Sequence, residues 1–305
     1  MKKLRIVGII FLLFIGLIVL GFITGFFSIP SIKNISNRWG NISENTIEII
    51  SSITIENNNP FKIILPRVEI DYNLKMNNIT MASGKIENIH LQKGDATIEV
   101  SSYLDNTKIP EWWVSHIENN ESTIVNIEPV VIIDAEFTEP HIETPKKTIP
   151  INTDLLADIK TNNERIIEIG PGNLVVKSVI ANWGNITNET TELLIGIMVN
   201  NSLSTNIPIP KIYYRIKMNN ITIGNGTIKD LTILKANNYS TINLATKINN
   251  YKLDDWFISH LQNNEHSILE ITINTELEYE KISYIVEDFL IYIHEFNTNI
   301  LGHNL

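Results

Sequence analysis

No cysteine occurs in the 305 residues, which removes disulfides, thiol nucleophiles, zinc-thiolate sites, iron-sulfur clusters and a lipid-modified cysteine from consideration. Basic side chains are scarce too: 24 Lys and Arg stand against 34 Asp and Glu, a formal net charge of −10. Without Lys2, Lys3 and Arg5 the balance is 21 to 34, the wrong sign for a non-specific nucleic-acid binder. Neither a phosphate-cradling glycine loop nor a nucleophile elbow is present. What the chain does contain is Asn, Ile, Thr and Ser in abundance, with 43% hydrophobic residues. That is the material of β-strands and polar turns, in a length that serves two domains of ordinary size.

Residues 6–27 form an apolar run of 22 positions without a charge. As a helix it would extend about 33 Å and span a hydrocarbon core. Three basic residues precede it and only Lys33 and Arg38 follow soon after, so the positive-inside rule predicts a cytoplasmic N-terminus, a single pass and an extracellular body. The alternative is a cleaved signal peptide. Against it stand the length of the run and the lack of an Ala-x-Ala site, since the first alanine is Ala82. The membrane lipid is thus the first expected partner, and Gly21-x-x-x-Gly25 is a candidate face for weak homo-association. An extracellular body makes ten Asn-x-Ser/Thr sequons candidate glycan acceptors: Asn34, Asn41, Asn78, Asn120, Asn185, Asn188, Asn200, Asn220, Asn225 and Asn238.

The rest of the chain is organised by repetition. Trp112-Trp113-Val114-Ser115-His116-Ile117-Glu118-Asn119-Asn120-Glu121 returns 144 residues later as Trp256-Phe257-Ile258-Ser259-His260-Leu261-Gln262-Asn263-Asn264-Glu265, with six identities and four similar residues. Trp39-Gly40-Asn41-Ile42 returns as Trp183-Gly184-Asn185-Ile186 at the same spacing. Leu193, Ile195, Ile197 and Val199 alternate as in a strand with one buried face, and Ile47, Ile49, Ile53 and Ile55 answer less regularly. The pairs Asn77-Asn78 and Asn219-Asn220 predict hairpin turns. Gly84 and Gly226 predict either a glycine backbone angle or a close strand approach. Within the long phrase the apolar spacing predicts a short helix, with Pro110 and Glu111, or Asp254 and Asp255, in its first turn. Each copy closes on a related tail, Asn152-Thr153-Asp154-Leu155-Leu156 and Asn297-Thr298-Asn299-Ile300-Leu301. Many short strands without long helical crossovers predict a mostly β (α+β) chain of antiparallel sandwiches. The expected division is an anchor at 1–27, sandwiches at 28–157 and 173–305, and a linker at 158–172.

These elements resemble, in order and twice over, the WHy (water stress and hypersensitive response) domain of the second type of late embryogenesis abundant proteins. The matching residues are Asn59-Pro60, Pro66, Tyr72, Gly84 and Thr153-Asp154-Leu155-Leu156, then Pro208, Tyr214, Gly226 and Thr298-Asn299-Ile300-Leu301. The second copy departs from the pattern with Ser202 in place of the turn proline and Asn299-Ile300 in place of Asp-Leu. The resemblance implies tandem immunoglobulin- or fibronectin-like β-sandwiches, each with a short helix, and a non-enzymatic part in protecting proteins or membrane during desiccation. Its hydrophobic content predicts a folded chain, so the disorder-based protection of other late embryogenesis proteins does not transfer.

Candidate chemistry is sparse. His116 and His260 repeat and follow Ser115 and Ser259, but neighbours on a helix point about 100° apart and make no nucleophile-base dyad. Packing within the helix is the expected role of both. Glu276, Glu278 and Glu280 alternate without the Asp/Asn/Gly loop of a calcium site. Trp39 and Trp183 are expected in core or inter-sheet packing rather than as carbohydrate platforms. No catalytic residue, cofactor or metal site is therefore expected. Two functions remain: an anchored stress-protection module, or a structural or interaction component of the cell envelope with protein or envelope partners still unknown.

Overall fold

The computed structural model describes residues 31–59, 63–65, 68–86, 89–91, 93–133, 141–143, 147–160 and 164–302. The expected anchor with Gly21 and Gly25, and the prolines Pro60 and Pro66, lie outside the described residues. Among these residues no helix is long and apolar enough to cross a membrane. The chain is mostly β, in antiparallel sheets with two short helices.

The first copy runs β1 (Ser31–Ile42), β2 (Thr46–Asn57), β3 (Ile63–Leu65), β4 (Val68–Met76), β5 (Ile79–Ile86), β6 (Ile89–Leu91), β7 (Gly94–Asp105), α1 (Ile109–Glu118), β8 (Ser122–Ile133), β9 (His141–Glu143) and β10 (Lys147–Asn152). After β11 (Arg165–Ile169) the second copy repeats that order. It runs β12 (Gly172–Ile186), β13 (Thr190–Asn201), β14 (Ile207–Ile209), β15 (Lys211–Met218), β16 (Ile221–Ile228), β17 (Thr232–Leu234), β18 (Asn238–Asn249), α2 (Leu253–Gln262), β19 (His266–Tyr279) and β20 (Ile282–Asn297).

In the second copy β11-β12-β13-β18 and β16-β15-β19-β20 form two four-stranded antiparallel sheets. The first copy has the same halves, β1-β2-β7 and β5-β4-β8-β10, and two pairs, Ala82 with Leu104 and Ser83 with Tyr103, join them at a corner into one sheet. Strand β11 differs from the sequence reading, which placed residues 165–169 in a linker. Ile167 and Ile169 turn into the core and Ile166 outward, a five-residue alternation too short to stand out beside Gly170-Pro171-Gly172.

The strands obey their side-chain period. In β13, Leu193, Ile195, Ile197 and Val199 are buried. In β2 the inward row is Ile47, Ile49, Ser51, Ile53 and Ile55, so the irregularity of the first copy is Ser51. Ser51 Oγ donates to Asn37 Oδ1 across the β1–β2 ladder at 2.8 Å. The second copy pairs Ala181 with Ile195 at the equivalent place, so a buried polar pair and an apolar pair exchange as units. Asn77 and Asn78 have φ of 49° and 68°, and Asn219 and Asn220 have 48° and 67°, the angles of a type I′ hairpin turn. Gly84 and Gly226 serve close approach: an added Cβ would sit 2.9 Å from Ser102 Cβ in one case and 2.8 Å from the Tyr214 ring in the other.

Candidate functional site

Both long phrases form the expected helix. Each strand before it ends in a cap: Asp105 accepts from Thr107 N–H, and Asn249 from Tyr251 N–H. Pro110 and Glu111 occupy the first turn of α1, Asp254 and Asp255 that of α2. After each helix the chain turns through two successive left-handed residues, Asn120 and Glu121 (φ 56° and 58°) and Asn264 and Glu265 (57° and 58°). Asparagine tolerates this region, but glutamate does not favour it. The conformation brings both carboxylates back under their helices, where Glu121 is 7% and Glu265 5% exposed.

A chain of hydrogen bonds explains the strain. Trp112 Nε1–H donates to Thr123 Oγ1 (2.9 Å), which lies 2.8 Å from His116 Nδ1, and His116 Nε2 lies 2.9 Å from Thr153 Oγ1. Thr153 Oγ1 and Leu155 N–H both donate to Glu121 Oε2, at 2.9 and 2.7 Å. Because Thr153 gives its only proton to the carboxylate, it must accept from His116. Nε2 therefore carries a proton, and because burial keeps the imidazole neutral, Nδ1 takes the proton of Thr123. The second copy repeats every link: Trp256 to Ser267 (2.9 Å), Ser267 to His260 (2.8 Å), His260 to Thr298 (2.8 Å), Thr298 to Glu265 (2.8 Å) and Ile300 N–H to Glu265 (2.7 Å). The recurring Thr in each closing tail thus orients a histidine.

The remaining carboxylate oxygens cross between copies. Trp183 Nε1–H of the second copy donates to Glu121 Oε1 of the first at 2.8 Å, and Trp39 of the first donates to Glu265 Oε1 of the second at 2.9 Å. The helices meet on the same axis, with Trp113 edge-on to Trp256 (5.9 Å between ring centroids) and to Trp183 (6.0 Å), and Trp112 edge-on to Phe257 (5.8 Å). The two copies are therefore joined by a reciprocal exchange about a pseudo-two-fold axis. Glu121 and Glu265 were not singled out from the sequence, where an acidic residue after two asparagines reads as a solvated turn. Their identity in both phrases was the available signal.

The symmetry breaks at one linked set of residues. Trp113 Nε1–H donates to Thr191 Oγ1 (3.0 Å), and Thr191 donates to Asn250 Oδ1 (2.9 Å). The equivalent positions are Phe257, Ile47 and Asn106, and Asn106 Oδ1 is buried with no partner among the described residues. Phenylalanine offers no proton and isoleucine cannot relay one. Installing Ile47→Thr together with Phe257→Trp should rebuild the relay. A denaturation double-mutant cycle is expected to show favourable coupling of about 1 kcal/mol, and additive effects would refute the equivalence.

Burial holds the imidazoles of His116 and His260 well below the ordinary value, to about 4. Unfolded histidines bind a proton near pH 6.5, so between pH 6.5 and 4 the unfolded state carries more protons and folding is weakened as pH falls. Thermal stability should be level in this contribution above about pH 6.5. Below that it should decline toward pH 4, by on the order of 3 kcal/mol per histidine. Imidazole proton resonances that titrate with midpoints near 6.5 in the folded protein would contradict this.

A cavity of about 10 Å³ lies on the axis between the two His-Trp pairs, at the lower limit for one water and too small for a substrate. Trp39 and Trp183 are half-buried, with their N–H groups committed across the interface. Glu276 accepts from Lys211 Nζ (2.9 Å) and Ser283 Oγ (3.0 Å), and among the described residues no three His, Asp or Glu side chains converge as a metal site. Of the sequon asparagines, Asn34, Asn41, Asn78, Asn120, Asn185, Asn188, Asn220, Asn225 and Asn238 are exposed, and Asn200 is half-buried in β13.

Fold and site define a tandem antiparallel β protein whose repeated helix phrase is an internal clamp. No known family model matches the chain, and no curated protein does. Among solved structures it is similar to a protein from Archaeoglobus fulgidus, at 24% identity over 41% of this chain and 99% of that one, with a TM-score of 0.38. An Arabidopsis thaliana protein is similar at 13% identity over 39% of this chain and 79% of that one, TM-score 0.29. A beta-glucuronidase from glycoside hydrolase family 2 is similar at 9% identity over 86% of this chain, but only 25% of the enzyme is covered, TM-score 0.26. Likeness at these scores assigns neither family nor activity to this chain.

Proposed function

We propose that this is a non-enzymatic, membrane-anchored protein whose two WHy-like domains lie outside the cell and stabilise proteins or membrane during water stress. The observation that carries the non-enzymatic reading is the closed relay. The two residues best suited to chemistry, His116 and His260, are buried, neutral and bonded at both ring nitrogens. The twice-repeated order of strands, glycine and closing tail supports the WHy-like reading, and residues 6–27 support the anchor. Glycans on the exposed sequon asparagines belong to the same reading. A structural or interaction role in the cell envelope is the second reading, favoured by the exposed isoleucines Ile285, Ile291 and Ile293 on β20.

The test is to dry or freeze a labile model enzyme with the purified full chain in detergent, beside detergent alone and an equal mass of serum albumin. Recovery of enzyme activity above both controls is expected. Recovery no better than albumin would remove the protective role.

A further inference from the structure

On the outer face of the second copy, strands β16, β15 and β19 lay two rows of side chains beside each other. Thr227, Tyr213 and Asn274 are register partners in one row, and Asn225, Arg215 and Thr272 in the next. These six line an open groove of about 240 Å³. That is below the roughly 300–1,000 Å³ of pockets for drug-sized ligands and suits a single ring. The carboxylates that border it are committed, Glu276 to Lys211 at 2.9 Å and Glu270 to Lys217 at 3.4 Å. Arg215 stands between two neutral partners. Neither its guanidinium nor the side-chain amide of Asn225 has a hydrogen bond or ion pair among the described residues.

The first copy fills the same grid differently. Its rows are Lys85, Asp71 and Val130, then Ser83, Asn73 and Glu128, so all six identities change. Where the first copy has two acids and the string Ser83-Gly84-Lys85, the second has no acid in the grid and the sequon Asn225-Gly226-Thr227. The tyrosine ring, the arginine and the sequon thus occur together in one copy, and none of them occurs at these places in the other.

We propose that this groove seats the first sugar of a glycan attached to Asn225. The inference rests on the extracellular reading above, which supplies the attachment: a membrane glycosyltransferase joins Asn225 Nδ2 to the anomeric carbon of a lipid-phosphate-linked glycan. The anomeric C–O bond breaks, the lipid phosphate leaves with the bonding pair, and one Nδ2 proton passes to a base of the transferase. Asn225 is exposed and lies directly opposite Arg215, about 4.5–5.5 Å away between Cβ atoms, with Tyr213 on the diagonal at about 7–8 Å. A sugar joined at Nδ2 therefore begins beside both. Its hydroxyl and ring oxygens accept from the five N–H donors of Arg215, and its apolar C–H face covers the Tyr213 ring and releases water from both. Asn274 Oδ1 already accepts from Asp288 N–H at 2.7 Å, which fixes that amide and leaves its NH2 group as a further donor.

Mass spectrometry of glycopeptides from the full chain, purified from the cells that make it, should show Asn225 occupied. Hydroxyl-radical footprinting then locates the sugar. Tyr213 should be labelled several-fold less in the glycosylated chain than in Thr227→Ala, which breaks the sequon and keeps both Asn225 and Tyr213. Tyr251, exposed and outside the groove, should label equally in the two chains. Asn225→Gln should match Thr227→Ala, and unchanged circular dichroism spectra would show that both variants fold. Glycans at other sequons with Asn225 bare would overturn this inference and leave the extracellular reading standing. A chain bare at all ten sequons would overturn the inference together with the glycan part of that reading. Equal labelling of Tyr213 in all three chains would place the sugar in solvent and overturn the inference as well.

Discussion

Trp113→Ala is expected to lower the unfolding free energy by about 3–5 kcal/mol. Trp113 is 1% exposed, it packs edge-on against two tryptophans of the other copy, and its N–H feeds the Thr191–Asn250 relay. Truncation opens a cavity on the pseudo-two-fold axis and removes the donor that α1 supplies to Thr191, so both copies lose support together. Trp113→Phe, which installs the residue used by the second copy, keeps most of the volume and should cost about 1 kcal/mol through the lost hydrogen bond. Urea denaturation followed by circular dichroism separates these values. A loss below 1 kcal/mol for the alanine variant would mean that the helices do not pack across the copies as described.

Glu121→Ala should be nearly as damaging, at about 3–5 kcal/mol, for a different reason. Three donors converge on this one carboxylate: Trp183 Nε1–H, Thr153 Oγ1–H and Leu155 N–H. Alanine leaves them buried without an acceptor, at about 1–3 kcal/mol for each one that finds no substitute. Glu121→Gln keeps one oxygen but turns an NH2 group toward a donor, so its cost should fall between alanine and wild type. Glu118→Ala, three residues earlier and exposed, should stay within about 0.5 kcal/mol. Thermal melts of the three variants give the order, and equal effects at Glu118 and Glu121 would show that the carboxylate is not the acceptor hub.

The parts that could be read from the sequence were those governed by local rules. The Asn-Asn hairpins follow from the left-handed backbone angles that asparagine tolerates, the helix from its apolar spacing and acidic first turn, and the strands of β13 from strict alternation. The duplication was legible because identical side chains at equal spacing need no structural model to be seen. What stayed hidden was pairwise and distant. Nothing near Glu121 announces Trp183, 62 residues on, and nothing near Trp39 announces Glu265, 226 residues on. The packing role expected for His116 and His260 is what the structure shows, but their partners Thr153 and Thr298 sit in the closing tails, which the sequence marks as a repeated motif without linking them to the histidines. The strand at 165–169 was missed because its sheet partner, not its own short pattern, holds it in place.

The crossed tryptophan–glutamate bonds have a historical meaning. An exchange in which each half supplies the donor for the other's acceptor is the geometry of an isologous homodimer, and here it lies within a single polypeptide. A lone ancestral module would have met a copy of itself through the same surface, the tryptophan of one subunit reaching the carboxylate of its twin. Fusion then freed the two sides to diverge. In a true homodimer every substitution appears on both sides of the axis, so Trp113 with Thr191 on one side and Phe257 with Ile47 on the other require two separately encoded sides, which this single chain provides. At the position where Asn250 Oδ1 accepts from Thr191, Asn106 Oδ1 has Ile47 in place of the threonine and finds no donor among the described residues.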